Sequence, residues 1–445
     1  LNQMKPMLLA LMLAGAVLPA HAADSWHFSF DAARPSAGGT VVAPDMQYNR
    51  ARGFGFESGA TVRAEADGKR GAYLTSDQPF FFSADLPEGN YNVTVTLGGA
   101  QAATTTVKAE LRRLMLEQVA TAPGASVIRS FTVNLRTPRI PAVAGVAAGK
   151  VDLKEPRETV QEAWAWDRRL TLEFNGDHPA IRAIDITPAQ VPTLFLLGDS
   201  TVCDQPGEPY NSWGQMLPRF LKPGIAVANH GESGETYRDA LARRRLDKIL
   251  SAMRHGDTVL MQFGHNDQKQ IKDGKGGPFT TYKEEIRTHV AAIRAHGGVP
   301  VIISPMERRR FDGHGKVVPS LIDYADAARQ VADELKVAFI DLNAMSKPFY
   351  EALGPALSQR AFAEPEPGRI DNTHHSNYGS YELAQAVLTG MRQAGVPAAA
   401  FIADGYGHFD PSRPDPVTAF AVPPSPRFSN ETPLGDDNVG TAGRR

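Results

Sequence analysis

A chain of 445 residues with 42% hydrophobic content is long enough to bury at least one large core, and the usual size of a folding unit points to two. Its 47 basic and 49 acidic side chains nearly cancel, which excludes the broad basic field that nucleic acid or an anionic membrane requires and favours a neutral or uncharged partner. The single cysteine, Cys203, excludes an intramolecular disulfide and a cysteine-based zinc cluster, so stability must come from packing.

Met4-Lys5-Pro6, the apolar run MLLALMLAGAVLPA and the triplet Ala20-His21-Ala22 form a basic, an apolar and a small-x-small segment in succession. This order predicts a signal peptide over residues 1–23, too short and wrongly flanked for a membrane anchor. No later segment is apolar for long enough to span a bilayer. A soluble, exported protein, secreted or periplasmic, with no membrane partner is therefore expected.

Residues 24–190 read as β-structure. Tyr91, Val93, Val95 and Leu97 alternate with polar residues after the turn signal Pro87-Glu-Gly-Asn90. Phe131, Val133 and Leu135 repeat the pattern, as do Leu170, Leu172 and Phe174 before Asn175-Gly176, and then Ile184 and Ile186. Period-two runs between Gly, Pro and Asn signals predict an antiparallel sandwich. Trp164 and Trp166, placed in such a strand, would share a face and serve as core or as a sugar platform.

After Thr187-Pro-Ala-Gln-Val-Pro192 the texture changes, and residues 191–400 alternate apolar runs with helical segments. Strands are expected near 193–198, 225–229, 258–263, 299–303 and 337–341, with helices around 282–296, 321–335 and 378–394. Five such strands form a parallel sheet in an α/β/α sandwich, whose ligands sit beyond the carboxyl ends of the strands. Residues 401–445, rich in Pro, Gly and Asp, predict an extended tail over the surface with a disordered end.

Polar clusters stand at those strand ends: Gly198-Asp199-Ser200, then Asn229-His-Gly-Glu-Ser-Gly234, then Gly264-His265-Asn266-Asp267, and before the last helix Asp371-Asn-Thr-His374-His375. A serine nucleophile needs an imidazole to take its proton, a carboxylate to fix the imidazole tautomer, and donors for the oxyanion. The Asp-x-x-His spacing lets one turn supply both acid and base, so Asp371 and His374 are the expected partners of Ser200. The Ser200 and Gly234 N–H groups and the Asn266 amide are the expected oxyanion donors, with Gly at 234 allowing close approach. Asp204 and Glu208 form no metal-ligand pattern, and no metal or other cofactor is expected. Arg243-Arg-Arg245 reads as a solvated face. Arg308-Arg-Arg310, at the catalytic end of the fourth strand, reads either that way or as a contact for an acidic polysaccharide.

The ordered blocks GDST, NHGESGET, GHND and DNTHHSNYG resemble the SGNH (GDSL-type) hydrolases, and within them the rhamnogalacturonan acetylesterase-like carbohydrate esterases. SWGQML at 212–217 and PFTTY at 278–282 add to the resemblance, which runs from Leu194 to about Gly395. It implies a three-layer, flavodoxin-like hydrolase unit in which Ser200, Gly234, Asn266 and His374 take the four family positions and Asp371 completes the triad. It also implies removal of acetyl groups from a plant cell-wall polysaccharide, foremost rhamnogalacturonan-type pectin; acetylated xylan, another acyl ester, or carbohydrate binding without turnover are the alternatives. His265 is either a loop polar or a residue ordering the oxyanion loop, and with Arg308 and Arg309 it is a candidate substrate contact. Two features depart from common patterns: the chain lacks the G-x-S-x-G elbow of α/β-hydrolases, and Thr236 stands where the acetylesterases often have Ser. The N-terminal unit resembles the galactose-binding-like sandwiches of some bacterial members, which implies either carbohydrate binding or bracing of the active site.

Overall fold

The computed structural model describes residues 25–32, 38–68, 71–272 and 274–426. The expected signal peptide and the end of the tail lie outside the described residues.

Between Trp26 and Pro188 the chain builds two facing β-sheets. One is seven-stranded and runs Val127–Leu135, Gly89–Leu97, Ala180–Pro188, Trp26–Ser29, Thr40–Val41, with Arg63–Ala66 and Ala72–Thr75 joined at Ala180–Pro188. The other is five-stranded, in the order Phe54–Phe56, Phe80–Asp85, Arg169–Asp177, Ala103–Ala109, Arg113–Thr121. The alternation read from sequence is the reason they face each other: Tyr91, Val93, Val95, Leu97, Phe131, Val133 and Leu135 meet Leu170, Leu172 and Phe174 in one buried cluster, while their polar neighbours point out. Trp164 and Trp166 are not in a strand. Trp164 falls in, and Trp166 directly follows, a short helical segment, Arg157–Gln161 and Ala163–Ala165, that comes after Glu155-Pro156 in a stretch without alternation.

The strand Ala180–Pro188 passes directly into the second unit, whose strands we label β1 (Thr193–Gly198), β2 (Ala226–Asn229), β3 (Thr258–Gln262), β4 (Val299–Ile303) and β5 (Ala338–Ile340). All are parallel and lie in the order 2-1-3-4-5. Nearly every residue of β1 and β3 is buried, because helices cover both faces, and this accounts for continuous apolar runs instead of alternation. The helices Lys283–Ala295, Ile322–Leu335 and Asn377–Gln393 stand where the sequence places them. Among the described residues four others were not foreseen: Trp213–Met216 is a single turn, Tyr237–Ala242 and Arg245–Ala252 are short and broken at Arg244, whose φ is 60°, and Leu342–Leu357 carries Pro348 and Pro355 and kinks at Gly354. The strand order reverses between β1 and β3, and ligand sites of such sheets lie at that point.

The two units share cores. Leu114 of the sandwich packs among Leu194, Trp213 and Met216, and Leu111, Val151 and Trp166 pack among Phe195, Tyr237 and Ile249. Residues 397–426 then run back over both: Lys222 N donates to Phe401 O at 2.8 Å, Ser425 N to Glu208 at 2.9 Å, and Lys108 Nζ to Pro423 O at 2.7 Å.

Candidate active site

Ser200 stands two residues beyond Gly198, the last residue of β1. The chain can turn there because Gly198 has no side chain: a Cβ would lie 2.4 Å from Val202 and 2.5 Å from the Gln262 carbonyl. Asp199 accepts from Thr201 N at 2.9 Å and from Thr201 Oγ1 at 2.7 Å, and its carbonyl accepts from Val202 N and Cys203 N. Burial favours the neutral acid at Asp199, but His265 and the Thr201 donors outweigh it and hold the group below the ordinary carboxylate range. It is a turn-forming anion, shared between its own loop and His265.

The segment before the last helix delivers the other two groups. His374 Nε2 lies 2.9 Å from Ser200 Oγ, and His374 Nδ1 lies 2.9 Å from Asp371 Oδ2. The other Asp371 oxygen accepts from Thr373 N at 2.7 Å and His374 N at 2.9 Å, so one turn of chain fixes carboxylate and imidazole together. Burial pushes the Asp371 acid up, yet His374 and those backbone donors pull it to about 2. The neighbouring His375 does something else. It shares a hydrogen bond of 2.8 Å with the Tyr350 hydroxyl and packs on Phe362, and burial together with His265 and His374 pushes it down to about 3. Ser200 and His374 are 0% and 1% exposed, so bulk water is excluded and electrostatic interactions there are strong.

Gly234 has a φ of 76°, which a side-chain-bearing residue adopts only at a cost. Asn266 Nδ2 donates to Glu235 O at 3.2 Å, tying the end of β3 to the residue beside Gly234, and the buried Asn266 Oδ1 has no partner. The four expected blocks therefore converge on the β1/β3 end of the sheet. His265 bridges Asp199 Oδ2 at 3.2 Å and the Met306 carbonyl at 3.1 Å. Arg308 is buried, with Nη2 3.3 Å from the His265 carbonyl and 3.4 Å from Gln268 Oε1. Arg309 Nε donates to Ser358 Oγ at 3.0 Å, Nη2 to Pro355 O at 2.5 Å, and its backbone N–H to Asn372 O at 2.7 Å, one residue after Asp371. Both guanidinium groups thus spend donors inside the fold, at the rear of the His265 and Asp371 loops.

Sequence reasoning missed the residues that hold these loops from the sandwich side. At the hairpin tip 110–113, Arg112 pairs with Glu208 at 2.6 Å and donates to the Gln205 and Tyr210 carbonyls, while Arg113 pairs with Asp204 at 2.6 Å. Gln205 in turn donates to Ser200 O at 2.7 Å. From the helical segment inserted between the sandwich strands Val127–Leu135 and Arg169–Asp177, Arg157 contacts Glu162 at 2.6 Å, Glu232 at 3.0 Å and Ser233 Oγ at 2.9 Å. Arg245, expected on a solvated face, is fully buried between Glu158 at 2.6 Å and Glu235 at 2.8 Å. A charge triplet in sequence cannot reveal acids that arrive from 87 residues away. Glu158, Glu162 and Glu232 offer oxygens within 4.8 Å of one another, the spacing of a cation site. Arg157 and Arg245 already lie against that cluster, and burial and the Glu232 charge push the Glu162 acid well up, so proton and guanidinium groups match the charge there.

The sequence profile of the GDSL-like lipase/acylhydrolase family matches residues 196–380. The rhamnogalacturonan acetylesterase RhgT of Bacillus subtilis is 38% identical over 214 residues, covering 46% of this chain and 91% of the relative. The chain belongs to the GDSL-like (SGNH) acylhydrolase family. This SGNH esterase is also 26% identical to the uncharacterized esterase YxiM of Bacillus subtilis over 389 residues, 83% of this chain and 91% of YxiM. The crystal structure of YxiM matches with 23% identity and a TM-score of 0.44 over 84% of this chain and 100% of that one. Among the described residues of the esterase, no helix is long and apolar enough to cross a membrane.

Proposed function

We propose that the esterase removes O-acetyl groups from a rhamnogalacturonan-type polysaccharide through an acyl-enzyme on Ser200. The observation that carries the reading is the continuous chain Ser200 Oγ, His374 Nε2, His374 Nδ1, Asp371 Oδ2, with both links at 2.9 Å. In this reading Ser200 Oγ attacks the acetyl carbonyl carbon while His374 takes the hydroxyl proton at Nε2. The oxyanion receives hydrogen bonds from the Ser200 and Gly234 N–H groups and the Asn266 amide. Collapse breaks the ester bond, and His374 returns the proton to the departing sugar oxygen. Water, deprotonated by the same imidazole, then attacks the acetyl-serine and releases acetate. Asp371 stays ionised throughout, holding Nδ1–H and stabilising the imidazolium.

The polysaccharide assignment is supported by two Bacillus subtilis relatives, RhgT at 38% identity and one named a probable rhamnogalacturonan acetylesterase at 32%. Acetate release from acetylated rhamnogalacturonan and acetylated xylan, with wild type and Ser200→Ala, tests both parts. Faster release from rhamnogalacturonan, abolished in the folded Ser200→Ala protein, is expected. Undiminished release by Ser200→Ala sinks the mechanism, and preference for xylan sinks the substrate.

A further inference from the structure

Beside the edge strand β2, away from the Ser200 loop, a cavity of about 250 Å³ opens between the sandwich and the helix Arg245–Ala252. Four cations line it, Arg136, Arg139, Lys248 and Arg254, against one carboxylate, Glu88, which pairs with Lys248. Arg139 and Arg254 are exposed at the mouth, whereas Arg136 and Lys248 are buried.

Arg136 is the unusual group. It lies over the Trp166 ring, 4.4 Å from the centroid, but Nε and Nη1 have no hydrogen-bond partner and no carboxylate pairs with it among the described residues. Burial and the neighbouring Arg113 push it down to about 10. Asp204 and Glu110 offset only part of this, and a buried guanidinium without a paired carboxylate is costly, a cost that an anion in the cavity would relieve. Two other buried atoms of lining residues have no hydrogen-bond partner: Asn134 Oδ1, which can only accept, and Nδ1 of His230. Inorganic phosphate would satisfy the guanidinium but bring few donors for Asn134, and a neutral sugar would leave Arg136 unpaired. The volume suits a ligand of monosaccharide size, below that of drug-sized pockets.

We infer that this cavity is a binding site for a sugar acid, its carboxylate on Arg136 and its hydroxyls on Asn134 and His230. The site does not depend on the esterase mechanism, and its failure would leave that mechanism standing.

Calorimetric titration of the full chain with sodium D-galacturonate, D-galactose and inorganic phosphate tests the site, repeated in Arg136→Met and in Ser251→Phe. The second variant fills the cavity from the helix and leaves the cations in place. Galacturonate should bind at least about 30-fold more tightly than galactose, the low end of what truncating a buried charge pair costs. Both variants should lose that binding, and Ser251→Phe decides the matter if Arg136→Met does not fold. No binding, equal or tighter binding of phosphate, or binding that survives Ser251→Phe overturns the inference. So does competitive inhibition of p-nitrophenyl acetate hydrolysis at the concentration where galacturonate binds, because the ligand would then occupy the active site.

Discussion

Arg157 reaches from the helical segment between two strands of the sandwich to the Ser233 hydroxyl, 2.9 Å from its Nη2, one residue before Gly234. The same guanidinium contacts Glu232 at 3.0 Å and Gln205 Oε1 at 3.2 Å, and Gln205 holds the Ser200 carbonyl. One side chain thereby ties the Ser200 turn to the Gly234 loop.

Arg157→Met should lower kcat on a small ester while changing KM little, since the tie bears on oxyanion geometry and not on ground-state binding. It should also destabilise the fold by about 3 kcal/mol, because Glu232 is left buried without its cation. Arg157→Lys restores the charge but not the fork, and should recover stability more than kcat. Steady-state kinetics and urea unfolding of both variants check this, and equal loss in kcat and stability for Lys and Met would remove the positioning role.

Asp371→Asn should cost about 10⁴-fold in kcat, the usual result of presenting the wrong imidazole tautomer to the serine. The carboxylate also links stability to pH. Its folded value of about 2 lies below the ordinary one near 3.9, so above pH ~4 the native state gains stability, and that gain disappears as pH falls toward 2. Acid unfolding of wild type should therefore show an additional loss on the order of 2 kcal/mol across that window, absent in Asp371→Asn. Unfolding measured from pH 5 to 2 for both proteins distinguishes the cases.

Much of this site was legible in sequence because its signals are local. Gly198, Ser200, Asp371 and His374 sit in short blocks whose chemistry needs only a few neighbouring residues, and the apolar runs of β1 and β3 announce a sheet buried on both faces. The alternation of Tyr91, Val93 and Val95 likewise names its own buried face. What was not legible is pairing at long range. Arg113 and Asp204 are 91 residues apart, and nothing in either neighbourhood names the other. Pro348 and Pro355 disfavour a helix that tertiary packing of Phe349 and Tyr350 nevertheless stabilises.

Glu110, at the tip of the hairpin, gives a pH effect of opposite sign. It is buried and accepts from Thr171 N at 3.1 Å, and burial raises its acid to about 8 despite the nearby Arg113. The folded state therefore keeps a proton that the unfolded state releases near pH 4.3, so this group's contribution is full below that pH and is lost as pH rises to about 8. Glu110→Gln imitates the neutral acid at every pH. It should leave stability unchanged near pH 4 and raise it by roughly 1–3 kcal/mol at pH 8. Thermal unfolding at the two pH values reads the difference, and a variant destabilised at pH 8 would show that Glu110 is ionised in the fold.

The hydrolase region should not stand alone. Residues 191–426 expressed without the sandwich would keep Asp204, Glu208 and Glu232 but lose Arg113, Arg112 and Arg157, the cations that face them in the interior. They would also lose Leu111, Leu114, Val151 and Trp166 from two apolar clusters. Each unpaired buried carboxylate costs several kcal/mol, and each large apolar side chain removed from a core costs about 2–5 kcal/mol more. Their sum exceeds the 5–15 kcal/mol of net stability typical of a domain. The fragment should therefore aggregate, or remain soluble without a cooperative melt and without p-nitrophenyl acetate hydrolysis. A monomeric fragment that melts cooperatively and turns over the ester would show that the sandwich is dispensable for the active site, and that the hairpin arginines serve adhesion between the units instead.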